Sequence, residues 1–381
     1  MRRDQVCRAK GPWTFHEIYI RHLGPQPTRD NEGSLASVTE RDVLILGAGF
    51  SKAIHDAMPT LDELGNDCRG ELYGHWGDRI PERFDGGYFE VWLSRIAEDQ
   101  PDLSEVENTQ NRALFLDTSA VINKVITHRQ RVATTAESDR EWLFDLVDKL
   151  HRRRATVITL NYDNLIELAV RSMGAVGRQP LMGGTPPKMQ EVMPDMLLLH
   201  QPPYGGPPPT YGALQGSMVN TFRLLKIHGS LDWWWAPDDD SGATLSRSPL
   251  VGGFGALCNE SESEFAHLMR QPGRVPFIVP PTATKSRFYR NPLIRSLFME
   301  AAKALKSADR LTIFGYSVPQ TDLVVAEVLR ERLSDSCAVT VVNPDVEGTV
   351  ERLARLGVRG DRVDRSYADP VVGAREFVAD F

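Results

Sequence analysis

Six short runs of apolar, largely β-branched residues constrain what this chain can fold into more than any other feature of its 381 residues. They are VLIL at 43–46, TVITL at 156–160, LLKI at 224–227, PFIV at 276–279, LTIF at 311–314 and AVTVV at 338–342, and each runs into a loop of small or polar residues. Near-continuous apolar strands belong to a parallel sheet covered on both faces, whereas a sheet with one wet face alternates apolar with polar. Segments 141–154 (EWLFDLVDKLHRRR), 164–173, 322–333 and 346–356 read as helices between or after these runs. Strands alternating with helices predict an α/β fold, a Rossmann-like parallel sheet with helices on both faces.

Two stretches break the rhythm. Residues 61–154 are helical in pattern and hold no strand-like run, which predicts a helical subdomain inserted after the first strand and helix. Residues 174–218, with GGTPPK and PPYGGPPPTYG, are rich in Pro, Gly and Met, as in a long functional loop. Residues 1–40 form an N-terminal extension, 41–345 the main domain, and 346–381 a C-terminal helix and tail completing the sheet. No internal repeat is visible.

The formal net charge of -7 supplies no general attraction to nucleic acid or anionic membrane. Cys7, Cys68, Cys258 and Cys337 form no C-x-x-C pair, which argues against a disulfide framework or a cysteine-built zinc site and fits a reducing cytoplasm. The opening MRRDQVCRAKGPWTF has arginines but no apolar stretch behind them. No apolar run approaches the roughly 20 residues of a membrane span. A soluble, cytoplasmic protein is the expectation.

The segment RDVLILGAGFSKA leads the first strand straight into Gly47-Ala48-Gly49-Phe50-Ser51. Glycine permits torsions closed to other residues and lets a phosphate approach the main chain. A helix starting there adds amide N–H groups and partial positive charge, so the segment reads as a cradle for a diphosphate. A G-x-G by itself fits a tight turn equally well. The dehydrogenase fingerprint G-x-G-x-x-G/A fails here at Lys52, and Asp62, Glu63 and Asp67 stand in helix-like sequence rather than at the end of a second strand. The phosphate-loop pattern G-x-x-x-x-G-K-[ST] is absent.

Four more strand ends carry glycine or polar residues: Asn161 and Asp163 in LNYDN, His228 and Gly229 in KIHGSLDW, Gly315 and Ser317 in GYS, and Asn343 in VVNPD. In an open parallel sheet such ends converge on one crevice, where ligands bind. Singly, an Asn or Asp after a strand caps the next helix, and a lone His is a common structural residue. Together, GAGFSKA, LNYD, KIHGSLDW, PFIVPPTATK, GYS and VVNPD, in this order and spacing, resemble the sirtuin family. Within it they are most similar to the bacterial sirtuin-like branch of NAD-consuming antiphage defence proteins. The resemblance covers roughly residues 42–345, without the Pro-rich segment and much of the helical insert.

The resemblance implies a role for each matching residue. Asn161 would hold the nicotinamide-side ribose or the attacking water, His228 would be general base or polariser at a ribose hydroxyl, and Asp163 would orient the Asn161 loop. Gly47, Ala48, Gly49 and Ser51 would hold the pyrophosphate, and Gly315, Ser317 and Asn343 the adenosine half. A deacylating sirtuin also carries four zinc cysteines in two pairs and a Gly-Ile-Pro-x-Phe-Arg type segment after the first loop. This chain has no such pairs and reads AMPTLDEL there, keeping Pro59 without Phe-Arg.

The resemblance therefore implies hydrolysis of NAD+ to nicotinamide and ADP-ribose, without zinc or another metal, by an antiviral effector that depletes NAD+ in abortive infection. It further implies restraint at rest, through a homo-oligomer or a separately encoded sensor such as a ring-forming ATPase or an Argonaute-like protein. The alternatives are a protein deacylase or ADP-ribosyltransferase, or a non-catalytic sensor of NAD or ADP-ribose. A hydride-transfer enzyme fits least.

The residues suit that chemistry. Breaking the nicotinamide–ribose bond expels a neutral leaving group and builds positive charge on the ribose, so positioning, exclusion of water and one modest base suffice. An imidazole of ordinary pKa, about 6.5, serves as that base, and the Asn161 amide both donates and accepts. Other features have plainer readings. Trp233, Trp234 and Trp235 are core packing or a gate at the nicotinamide. The HRRR run at 151–154 is a cationic last helical turn. The Met-rich stretch 182–196 is a partner surface or an ordinary patch, and His200 and His267 sit in no metal-ligand pattern.

Overall fold

The computed structural model describes residues 41–175, 222–236, 239, 244–248, 250, 252–255, 273–283, 285–369 and 372–381. The 1–40 extension and nearly all of the 174–218 segment lie outside these residues, as do Cys7, Cys258, the 182–196 stretch, His200 and His267.

The fully buried strand β1 (Asp42–Leu46) turns at Gly47 into the short helix α1 (Ala48–Ile54). Four helices follow: α2 (Leu61–Trp76), α3 (Tyr88–Ala97), α4 (Glu105–Thr135) and α5 (Glu141–Arg153). Helices α2 and α4 each begin at a capping box, Thr60 with Glu63 and Ser104 with Glu107, which satisfies first-turn amides reciprocally. The chain continues through β2 (Thr156–Thr159), α6 (Leu165–Ala175), β3 (Arg223–Lys226), β4 (Gly229–Trp235), β5 (Ser246–Arg247) and β6 (Val275–Ile278). It then forms α7 (Ser286–Tyr289), α8 (Pro292–Ser307), β7 (Arg310–Phe314), α9 (Leu323–Arg332), β8 (Ala338–Val342), α10 (Val346–Arg355), β9 (Val363–Tyr367) and α11 (Gly373–Asp380).

Six strands make one parallel sheet in the order β3-β2-β1-β7-β8-β9. Renumbered within the sheet this is 3-2-1-4-5-6, the Rossmann order, with the direction of growth reversing between β1 and β7. Right-handed crossovers on the two sides of that reversal put their helices on opposite faces. One group has α5 packed against both α6 and α11; the other has α8 against α9 and against β2 and β3. Leu44, Leu46, Val157, Leu225, Ile313 and Val341 are buried between the layers, as the near-continuous runs predict.

The PFIV run departs from that expectation. It forms β6 of a second, antiparallel sheet ordered β5-β4-β6, not a strand of the parallel one. An apolar run is silent about the direction of its neighbour; the turn at Ile227-His228 decides it. Gly229, at φ 83, swings the chain out of the line of β3, and a Cβ there would stand 2.3 Å from the Phe277 carbonyl oxygen. Strand β4 carries the three tryptophans, with Trp233 and Trp235 buried and Trp234 partly exposed. Their pattern follows the period-two alternation of a strand and is core packing. Strand β9 is a polar edge strand within the tail, exposing Asp364, Arg365 and Ser366, a composition that discourages further strand pairing. Among the described residues no helix is long and apolar enough to cross a membrane.

Candidate active site

Because all six strands of the large sheet run the same way, Gly47, Asn161, His228, Gly315 and Asn343 follow strand ends on one edge. The reversal between β1 and β7 makes the middle of that edge the place where ligands bind in such sheets.

The glycines there contact one another. The Gly47 amide donates to the Phe314 carbonyl (3.0 Å), the Gly49 amide to the Gly315 carbonyl (2.9 Å), and the Gly315 amide to the Val342 carbonyl (2.9 Å). Gly315 has φ 62, and a Cβ on it would lie 2.0 Å from the Phe50 nitrogen; one on Gly47 would lie 2.6 Å from the Gly315 carbonyl oxygen. The G-x-G pattern thus makes a main-chain joint between two strand ends, and the amides of Gly47 and Gly49 are engaged within the protein rather than offered to a phosphate. Ala48, Gly49 and Ser51 belong to helix α1, not to a loop, and Ala48 is exposed at its start. Lys52, standing where the dinucleotide fingerprint has its third glycine, holds both carboxylate oxygens of Glu63 at 2.9 Å and so ties α1 to α2.

Asn161 and Asp163 reach this joint from the end of β2. Asn161 Nδ2 donates to the Gly47 carbonyl (2.8 Å) and to Ser51 Oγ (2.9 Å), and Ser51 Oγ donates to Asp163 Oδ2 (2.6 Å). Asp163 Oδ1 also accepts from the Leu165 amide at 3.2 Å. Two expectations change here. Both amide protons of Asn161 are engaged, so Oδ1 is the group it has left for a ligand. The Ser51 hydroxyl is held by Asn161 and Asp163, which takes it away from a pyrophosphate. Burial raises the Asp163 carboxyl above the usual range, with Lys226 and Ser51 opposing the rise.

His228 is buried at 4% exposure, and its Nε2 has no hydrogen-bond partner among the described residues. Its carbonyl accepts from the Val279 amide at 2.8 Å. Burial drives the imidazole pKa down to about 3, with Lys285 adding to the fall and Asp322 opposing it. The expected base of ordinary strength is therefore a neutral imidazole at physiological pH, because its cation has lost its water. Ser317 is exposed, and its carbonyl accepts from Arg352. Asn343 Oδ1 accepts from the Asp345 amide (3.0 Å) in an Asx turn. Among the described residues no hydrogen bond links the side chains of Ser317 or Asn343 to Asn161, Ser51 or Asp163.

Two buried polar networks surround these residues. Lys226, at the end of β3, pairs with Glu167 at 2.9 Å and donates to the carbonyls of Asp163 and Tyr162, bracing the Asn161 loop with a buried cation. Beside it, Asn164 Nδ2 donates to Ser230 (2.9 Å) and Asp232 (3.0 Å), and Arg247 pairs with Asp232 at 2.5 Å. A sequence signal for this network exists: Lys226 inside LLKI and Asp232 inside SLDWW are charges amid strand-forming apolar residues, and a buried charge requires a partner.

The second network joins Lys285 to Asp322 in direct contact, the Tyr316 hydroxyl to Asp322 (3.1 Å), and the Thr321 hydroxyl to Glu90 (2.6 Å), with Lys285 3.9 Å from Glu90. Burial raises the Glu90 carboxyl, against the pull of Thr321 and Lys285. Burial would raise Asp322 too, but the charge of Lys285, with hydrogen bonds from Lys285 and Tyr316, holds it below the usual range. No local pattern marks Glu90, which arrives from α3 of the helical insert. Among the described residues no group of three or more His, Cys, Asp or Glu is arranged to hold a metal ion.

No protein-family model matches the chain, and no curated protein does. Solved structures of Sir2 proteins are similar to it. One, from work on the structural basis for the mechanism and regulation of Sir2 enzymes, is 12% identical with a TM-score of 0.37, covering 90% of this chain and 93% of its own. Another, the crystal structure of a Sir2 homolog–NAD complex, is 14% identical with a TM-score of 0.38, covering 89% of this chain and 90% of its own.

Proposed function

We propose that the chain is an NAD+ glycohydrolase, splitting the nicotinamide–ribose bond to give nicotinamide and ADP-ribose. The observation that carries this reading is the hydrogen-bonded meeting of Asn161, Ser51, Asp163 and the Gly47 carbonyl beside the point where the sheet reverses. In the reaction the C–N bond breaks with its electron pair passing to the pyridinium nitrogen, so the leaving group is neutral and needs no acid. Water bonds to the ribose carbon and gives up a proton to the solvent, so that NAD+ and water yield nicotinamide, ADP-ribose and a proton.

Asn161 Oδ1, on an amide fixed by two hydrogen bonds, suits the holding of that water or of a ribose hydroxyl, because a rigid acceptor removes the entropy of finding the geometry. An uncharged His228 accepts from a ribose hydroxyl without repelling the cation developing next to it. Ala48 at the start of α1 and Ser317 after β7 are left to face the pyrophosphate and adenosine, since the amide and carbonyl of Gly315, like the amides of Gly47 and Gly49, are engaged within the protein. In the cell the same reading makes the protein a cytoplasmic antiviral effector that depletes NAD+. It is restrained at rest by self-association or by a sensor such as a ring-forming ATPase or an Argonaute-like protein.

Nicotinamide release from NAD+, followed with the purified protein alone and with candidate partners, tests the reading. Release that disappears in Asn161→Ala and His228→Ala is the expected result. NAD+ binding without turnover in every assembly would overturn it in favour of a sensor, and release that depends on an acyl peptide would point to a deacylase.

A further inference from the structure

Lys226 is the last residue of β3 and Glu167 lies in the first turn of α6, and both side chains are wholly enclosed. A buried ion pair is a poor device for stability alone. Taking two charges out of water costs about what their attraction returns, and apolar residues of similar size do as well. What the pair binds besides itself is therefore informative. An ammonium group has three protons to donate. Lys226 sends one to Glu167 Oε1 (2.9 Å), one to the Asp163 carbonyl (2.5 Å) and one to the Tyr162 carbonyl (3.4 Å). Two of the three thus hold the main chain of the residues that directly follow Asn161, and a charged donor makes the stronger bond. Glu167 Oε1 also accepts from Asn164 Nδ2 at 3.1 Å, so the pair grips three successive residues. A further bond comes from Gln130 of α4, whose carboxamide oxygen accepts from the Asn164 amide at 2.6 Å. The Asn161 carboxamide itself meets Gly47 and Ser51, not Lys226.

We propose that Lys226 is a positioning residue for Asn161 in the cleavage reaction. Its ammonium, neutralised by Glu167, fixes the Tyr162 and Asp163 carbonyls and thereby sets where the Asn161 carboxamide presents Oδ1. Lys226 touches no reacting atom. Without its two main-chain bonds the peptide after Asn161 is free to turn, and an acceptor displaced by about 1 Å lowers the rate on the order of 100-fold. For its rate effect the inference rests on the NAD+ glycohydrolase reading, but the place of the carboxamide can be followed without turnover.

The variant to make is Lys226→Met/Glu167→Leu in the full-length protein, which removes both charges together and leaves neither buried alone. It should fold, keep KM for NAD+ near the wild-type value, and lose kcat for nicotinamide release on the order of 100-fold. Added to Asn161→Ala, the same two changes should cost little beyond Asn161→Ala itself, because residues that act as one unit are not additive. A merely structural role would lower the rate independently of Asn161. A folded double variant with wild-type kcat, or a fully additive loss, overturns the proposal. Side-chain 15N NMR gives a readout free of turnover. The Asn161 Nδ2 signal, identified by its loss in Asn161→Ala, should have slowly exchanging protons in the wild type and exchange about tenfold faster or more in the double variant. Unchanged exchange overturns the proposal whether or not the protein splits NAD+. Faster exchange in a protein that releases no nicotinamide in any assembly removes the hydrolase reading and leaves Lys226 as the residue that places the carboxamide. Where the double variant does not fold, the wild-type Lys226 Nζ signal decides: a threefold donor shows a slowly exchanging ammonium, and exchange as fast as that of an exposed lysine overturns the proposal.

Discussion

At the edge where the strands of the large sheet end, the β1–β7 side is held by main chain and the β2–β3 side by buried side chains. On the first, Gly47, Gly49 and Gly315 touch through amides and carbonyls with no room for a Cβ. On the second, Lys226 and Glu167 hold up the loop that presents Asn161. The first joint depends on the absence of side chains and fails by collision. The second depends on charge balance and fails when one partner is left alone in the interior. The difference separates a rigid floor from an adjustable wall, and Asn161 belongs to the wall while leaning on the floor.

The largest expected effect is at Gly315. Gly315→Ala forces a Cβ against the Phe50 nitrogen at positive φ, and should destabilise the protein by on the order of 4 kcal/mol or more. A urea unfolding midpoint close to wild type would break the idea of a main-chain joint. Next is Lys226→Met, which leaves Glu167 buried and unpaired and should cost about 3–5 kcal/mol. The double variant Lys226→Met/Glu167→Leu should recover most of that loss, and a double variant as unstable as the single would show that charge balance is not what holds the wall.

A smaller effect follows acidification. The folded pKa of His228, about 3, lies below the ordinary histidine value, so below about 6.5 the unfolded chain takes up a proton that the folded one does not. Stability is full above that pH and falls as the pH drops toward the folded value. His228→Gln should flatten this part of a plot of Tm against pH; an unaltered slope would mean the imidazole is not the group responsible. Asn161→Ala should affect folding least, by about 1–2 kcal/mol for two hydrogen bonds, while lowering nicotinamide release by roughly 100-fold or more. Wild-type release from this variant would detach the wall from catalysis.

The strands of the large sheet were legible because burial on both faces leaves little but apolar residues in them. The fate of PFIV was not, since the backbone reversal at Gly229 depends on a contact with Phe277, far along the chain. Strand β9 escaped for the opposite reason: an edge strand facing water looks like a loop in sequence. Asn161, Asp163 and His228 could be picked out because they follow apolar runs. Their state could not, because neutrality at His228 comes from its burial, with Lys285 adding to it. Likewise the glycines of GAGF were recognisable as special, but their partner, Gly315, is set by strand order alone.

His228 occupies the corner at which the chain leaves one sheet for another, between the last residue of β3 and the first of β4. Asn161 is held by Gly47 and Ser51, while its neighbour Tyr162 is tied to the small sheet, its carbonyl accepting from the Leu231 amide at 2.9 Å and its hydroxyl donating to the Val279 carbonyl at 2.6 Å. Any shift of the small sheet would therefore carry the Asn161 loop along with the imidazole. The two residues are thus stitched into one seam between the sheets rather than mounted on separate bodies.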